Sequence, residues 1–178
     1  ECNELYIEFY YYNHSNLESI IFGNEVEHIP AGICYNAPKL KSVTIPESTI
    51  IIGDRAFYGC SSIPEIVIPD KVTTIAQNAF GMCDALKNVT IGKAVTNLDS
   101  EAFIRDDNGE IVSTIVWNAI HCNDFRSDIR RDSLRTLIFG DEVEYIPAHA
   151  FPASAQMKTL SFPESLKEIG KGAFSYST

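Results

Sequence analysis

The sequence predicts a β-rich solenoid: about seven stacked rungs of 23 residues, with a parallel sheet on one face and short strands and helical turns on the others. Three observations carry this. Isoleucine outnumbers leucine 22 to 9 among the 178 residues, and branching at Cβ restricts χ1 in a helix while packing well on a pleated surface. KLKSVTIPESTIIIGDRAFYGC (39–60) aligns without gaps on SIPEIVIPDKVTTIAQNAFGMC (62–83), the self-similarity expected of a repeat architecture. The apolar residues that lead each copy are Leu17, Leu40, Ile63, Leu86, Val112, Leu134 and Met157, spaced by 23, 23, 23, 26, 22 and 23. A unit of this length cannot bury its own apolar face, so stability must come from stacking neighbours into one continuous core.

Each rung opens with a strand. Apolar residues recur three and five positions after the leader, as in Val43/Ile45, Ile66/Ile68, Val89/Ile91, Ile115/Trp117 and Leu137/Phe139, and alternation at i and i+2 is the period of a strand with one buried face. A corner follows at Gly23, Pro46, Pro69, Gly92, Gly140 and Pro163, residue types that end a ladder and turn the chain. A second apolar pair comes next, as in Val26/Ile29, Val72/Ile75, Val95/Leu98, Val143/Ile146 and Leu166/Ile169. Ala-Phe then closes five rungs, at 56–57, 79–80, 102–103, 150–151 and 173–174, with a spacing that suits a helical turn driving the ring inward. The expected organisation is one domain over 1–178. It has a partial N-terminal rung (1–16), four regular rungs (17–103), a hairpin insertion with a divergent rung (104–133) and two C-terminal rungs (134–178).

L-x-x-V-x-I-P-x-S at 40–48, I-G-x-x-A-F-x-x-C at 52–60 and I-A-x-x-A-F-x-x-C at 75–83 resemble the BspA-like leucine-rich repeat family, best known from bacterial cell-surface proteins. The resemblance covers residues 17–178. It implies a right-handed leucine-rich repeat array, exported and surface-associated, used in adhesion or protein recognition. Ile33-Cys34, where Ala-Phe is expected, and residues 104–133 depart from the pattern.

Composition narrows the function classes. A formal net charge of −10 repels phosphate backbones and anionic head groups, so neither nucleic acid nor membrane insertion is an expected role. No run approaches 18 apolar residues. Five cysteines cannot all pair within one chain, and none forms C-x-x-C. Cys60 and Cys83, one rung apart, read as stacked buried thiols, with a rung-to-rung disulfide as the alternative.

WNAIHCNDF (117–125) is the one stretch with the residue types of a catalytic site. Trp117 takes the inward slot of Phe22 and Phe139, while His121 and Asp124 align with Val72/Val143 and Ile75/Ile146. Catalysis needs a base within hydrogen-bond reach of its nucleophile, yet His121 and Cys122, adjacent on an extended segment, point to opposite faces. Zinc ligation by His121, Cys122 and Asp124 lacks paired-ligand spacing. DDNGE (106–110) reads as a hairpin rather than a calcium loop. No catalytic residue, metal or cofactor is therefore expected. FGNEVEHIPA (22–31) reappears as FGDEVEYIPA (139–148), and CNEL (2–5) as CNDF (122–125), which indicates a superrepeat of about 120 residues in which a divergent rung precedes each such copy.

A partner is expected on the outward positions of the first strand. One column contains Ser42, Glu65 and Asn88, and the other Thr44, Val67, Thr90, Val116 and Ile138. Solenoids use such extended surfaces to bind protein or peptide, including host extracellular protein for a surface-associated array. Tyr10, Tyr11 and Tyr12 form a second candidate, since aromatic clusters are favoured at interfaces, although these rings also suit the open end of a core. The competing class is a passive spacer displaying another domain.

Overall fold

The computed structural model describes residues 13–103, 112–122, 125, 134–151 and 156–175. The first strands pair as β3 (Glu65–Val67), β5 (Asn88–Ile91), β7 (Thr114–Trp117) and β8 (Thr136–Phe139) in one parallel four-stranded sheet. The second apolar pairs build another parallel sheet from β1 (His28–Ile29), β2 (Ile51–Ile52), β4 (Thr74–Ile75) and β6 (Asn97–Leu98). A two-stranded sheet, β9 (Tyr145–Ile146) and β10 (Glu168–Ile169), follows on. Uneven spacing leaves the register intact. Ile66, Val89, Ile115 and Leu137 face one another strand by strand, through steps of 23, 26 and 22 residues.

The Pro/Gly corners work through their carbonyls. The carbonyls of Gly23, Pro69, Gly92, Gly140 and Pro163 accept the N–H of the residue three places on, namely Val26, Val72, Val95, Val143 and Leu166. That bond closes a turn and aims an aliphatic side chain inward. Rung two places Thr49 there instead. It is buried, and its hydroxyl donates to the Val26 carbonyl at 3.1 Å, so the polar atom is not left unpaired.

Helical turns at Ala-Phe are not what forms: no helix occurs among the described residues. The backbone amides there serve the neighbouring rung. Phe57, Phe80 and Phe151 donate N–H to the carbonyls of Ala79, Ala102 and Ala173, which removes the i→i−4 pattern of a helix. The residue before Ala adopts left-handed geometry at Arg55, Asn78, His149 and Gly172, as does Gly32 before Ile33 in the rung where Ile-Cys replaces Ala-Phe. Asn36, Gly59 and Met82 form a second left-handed column four residues further on. Two such residues per corner turn the chain too sharply for a helix.

The interior is one column of aliphatics and rings. Phe57, Phe80 and Phe103 stack face to face at 5.3 and 5.4 Å. Cys34 occupies the Phe slot of its rung, since its N–H bonds the Ala56 carbonyl as Phe57 bonds that of Ala79. The smaller side chain leaves room for Phe22 to meet Phe57 edge-on at 6.3 Å. The solenoid makes about five turns, fewer than the seven rungs counted in the sequence. Among the described residues only the rungs led by Ile63, Leu86, Val112 and Leu134 carry a paired first strand. In the last rung Leu160, Phe162 and Ile169, expected to face inward, are exposed, and β10 pairs on one side only.

Candidate partner-binding face

Register determines which side chains share the outer surface of the first sheet. Glu65, Asn88, Thr114 and Thr136 lie side by side across the four strands, as do Val67, Thr90, Val116 and Ile138. Both predicted columns therefore exist as continuous rows over β3, β5, β7 and β8. Val67 is 61 % exposed and Ile138 50 %, whereas Ile66 and Leu137 beside them are buried. Thr90 and Val116 are half-buried, and Ser42, Thr44, Glu65 and Asn88 are exposed. Ser42 and Thr44 precede the paired strands, so they extend the rows without belonging to the sheet. Tyr10, Tyr11 and Tyr12 lie outside the described residues, as do the Asn-Gly hairpin and Asp124.

WNAIHCNDF separates its supposed catalytic residues. Trp117, Ala119, Cys122 and Phe125 are all buried. His121 is exposed, and its Nε2 lies 3.1 Å from Glu144 Oε2. The Glu144 N–H bonds the Ile120 carbonyl, so His121 stands beside Glu144 and not in the Val143 column where sequence alignment puts it. The cause is that the divergent rung reaches the interior by a different path, with Ala119 and Cys122 inward. Glu144 also accepts from Lys167 at 2.8 Å. That hydrogen bond, with help from the His121 charge, holds the Glu144 carboxyl below its ordinary pKa. Cys122 Sγ contacts the Thr96 carbonyl at 3.9 Å. Its imidazole neighbour points outward and engages a carboxylate.

Phe125 is the residue sequence reasoning overlooked. It packs 5.1 Å from Trp117 and 5.9 Å from Phe151, filling the interior of a rung that has no Ala-Phe. Its burial at three-residue spacing from Cys122 was the available signal, hidden by the charged and polar residues around it. Trp117 Nε1 is buried without a hydrogen-bond partner among the described residues, a cost accepted in a slot that other rungs fill with phenylalanine or isoleucine.

The cysteine column is inert by construction. Cys34, Cys60 and Cys83 are buried and unbridged. Cys60 donates its S–H to the Cys34 carbonyl at 3.3 Å and Cys83 to that of Phe57 at 3.2 Å. Burial pushes Cys34 and Cys83 up to about 12, and Cys60 rises for the same reason with its thiol neighbours adding to it. Such thiols supply almost no thiolate at neutral pH. Among the described residues no three His, Cys, Asp or Glu side chains converge as a metal site, and no helix is long and apolar enough to cross a membrane.

The BspA type leucine rich repeat region model matches this chain in six copies, over residues 5–128 and 129–178. The chain belongs to the BspA-type leucine-rich repeat family. No curated protein matches it. A leucine-rich repeat protein from Eubacterium ventriosum is 25 % identical with a TM-score of 0.64, over 88 % of this chain and 42 % of its own length. This leucine-rich repeat chain therefore spans less than half of that protein. A leucine-rich repeat protein from Bacteroides ovatus is 16 % identical (TM-score 0.39, 91 % of this chain, 71 % of its own). A leucine rich cell surface protein from Faecalibacterium prausnitzii is 21 % identical (TM-score 0.38, 84 % and 48 %). The repeat family is consistent with a protein-interaction module, and its solenoids are in general non-catalytic.

Proposed function

We propose that this chain is a non-catalytic recognition module, extracellular or displayed at the cell surface, that binds a protein or peptide partner through the outer face of its first sheet. The observation that carries the reading is the row Val67, Thr90, Val116, Ile138. Two aliphatics in it are at least half exposed on strands whose opposite face is fully buried. A row of β-branched side chains on a rigid parallel sheet presents apolar surface at little conformational cost, since χ1 is already restricted. Thr44, Ser42, Glu65 and Asn88 border the row and supply hydrogen-bonding groups. The family membership supports interaction as the role, and the partner's host origin is part of the proposal.

The experiment is a pull-down from host extracellular material with the folded domain, run beside the triple variant Thr44→Lys, Val67→Lys, Thr90→Lys. Those positions are exposed or half-buried, so the variant should keep its circular dichroism spectrum and lose the captured protein. Equal capture by both forms would remove these residues from the site.

A further inference from the structure

At the C-terminal ends of β7 and β8 the sheet face runs into an open, shallow cleft of about 380 Å³. Its apolar wall is Val116 and Ile138, and its floor is Asn118. The cleft has a cause in the sequence. Gly92 and Gly140 flank Asn118 in the neighbouring rungs, and Asn118 Oδ1 lies against the spot where a Gly140 Cβ would stand. With no side chain on Gly140, the surface drops beside Asn118. Lys93 reaches over this low rung to Glu142, Nζ to Oε1 at 2.6 Å, joining residues 49 apart. Side-chain bonds such as Lys39 to Asn16 and Gln77 to Glu101 join residues only 23 or 24 apart.

We propose that this cleft is the specificity pocket of the sheet face. It takes an extended peptide segment of the partner carrying a Lys or Arg next to an aliphatic residue. The proposal rests on the sheet-face reading above and names the chemistry of the partner. Three groups divide the recognition. Val116 and Ile138 take the aliphatic side chain. The Asn118 carboxamide makes no hydrogen bond with any described residue, and it offers one acceptor and two donor hydrogens to a peptide group. Asp141 and Glu142 take the cation. Asp70, whose carboxylate accepts the Lys93 N–H at 3.1 Å, adds a third negative charge against the single ammonium of Lys93. In the unbound protein that ammonium stands where the partner's cation would go. Glu142 and Lys93 are both solvent-accessible, so the exchange costs little desolvation. The chain's net charge of −10 favours the approach of a basic partner.

The test is to pan a random dodecapeptide library displayed on phage against the folded domain at low salt. Affinities of the enriched peptides are then measured on Asp141→Lys/Glu142→Lys, on Asn118→Ala and on Thr44→Lys/Val67→Lys/Thr90→Lys. Enriched peptides should carry Lys or Arg beside an aliphatic residue. Their affinity should fall by about tenfold or more in the charge-reversed variant, several-fold in Asn118→Ala, and with rising ionic strength. Unchanged Trp117 fluorescence certifies that each variant is folded. Peptides that ignore the Asp141/Glu142 reversal but lose binding in the Thr44/Val67/Thr90 variant overturn the cleft and leave the sheet-face reading standing. Failure to enrich any peptide also overturns the cleft, and the pull-down alone then decides the sheet face.

Discussion

Gly23, Gly92 and Gly140 hold the same position in three rungs, directly after the first strand, yet Gly→Ala should have a different outcome at each. At Gly92 an added Cβ would strike backbone only. It meets the Pro69 carbonyl oxygen, with Pro69 C at 2.6 Å and the Ile68 carbonyl oxygen at 2.7 Å. None of these atoms can move without parting β3 from β5, which are paired over three residues. Overpacking of this kind costs about 1–3 kcal/mol, and rigid backbone on the receiving side puts Gly92→Ala at the upper end. At Gly23 nothing among the described residues lies within 4 Å of the added atom, and φ is not positive. There the loss of unfolded-state freedom should stabilise by about 0.4–1 kcal/mol. At Gly140 the atom met is Asn118 Oδ1, the end of a side chain that can swing aside, so the effect should fall between. With a urea m-value of about 2 kcal/mol/M, the Gly92 and Gly23 variants should differ in midpoint by about 1 M or more, with opposite signs relative to the parent. Equilibrium urea unfolding followed by Trp117 fluorescence and circular dichroism measures it. If both variants moved the midpoint the same way, close approach between rungs would not be what this position controls.

Three further outcomes follow from the interior. Phe80→Ala should destabilise by about 3–5 kcal/mol, read by the same titration, because it empties a buried slot and removes both ring stacks to Phe57 and Phe103. The buried thiols give a pH dependence. Burial holds their folded pKa values above the ordinary thiol value of 9.0, so the stability from keeping them protonated is complete below pH 9 and is lost as pH rises towards about 12. Unfolding midpoints should therefore hold level up to about pH 9 and then fall, less steeply in Cys83→Ala, and a thiol reagent at pH 8 should label Cys34, Cys60 and Cys83 only after denaturant is added. Trp117→Phe should cost under about 2 kcal/mol by urea titration, since the lost ring volume is partly offset by removing an unpaired buried N–H.

The repeat was legible because each of its parts answers to a local rule. Alternation fixed the inward residues of β3, β5, β7 and β8, and Pro or Gly fixed the corners. The outward rows followed from the same alternation, which is why Val67 and Ile138 could be named from sequence. What could not be read was whatever depends on the neighbouring rung. Ala-Phe looks helical by spacing, but its amides bond across rungs, and only the Gly, Asn and His residues before Ala hinted at left-handed geometry. Arg55 at that position, with φ of 51°, carries no hint at all. His121 left its expected column because the divergent rung turns Ala119 and Cys122 inward, two residues before the usual places. The cleft was invisible because it comes from a long-range reach, Lys93 to Glu142, over a rung whose outward residues are short.

The divergent rung treats its two sides differently. The first sheet runs through it without a break, β5 to β7 to β8 in full register, whereas the second sheet stops at β6 and resumes at β9. Between them the back of the rung is held by Ile120 N–H to the Lys93 carbonyl and Glu144 N–H to the Ile120 carbonyl. Trp117 and Phe125 fill the interior that an Ala-Phe corner fills elsewhere. Register on the exposed face is intact and the irregularity is confined to the back: a slip of one residue in β7 would turn Val116 inward and bring Trp117 to the surface, so the proposed sheet face depends on this register. The same rung that loses its second strand places Asn118 between Gly92 and Gly140, beside the cleft at Ile138.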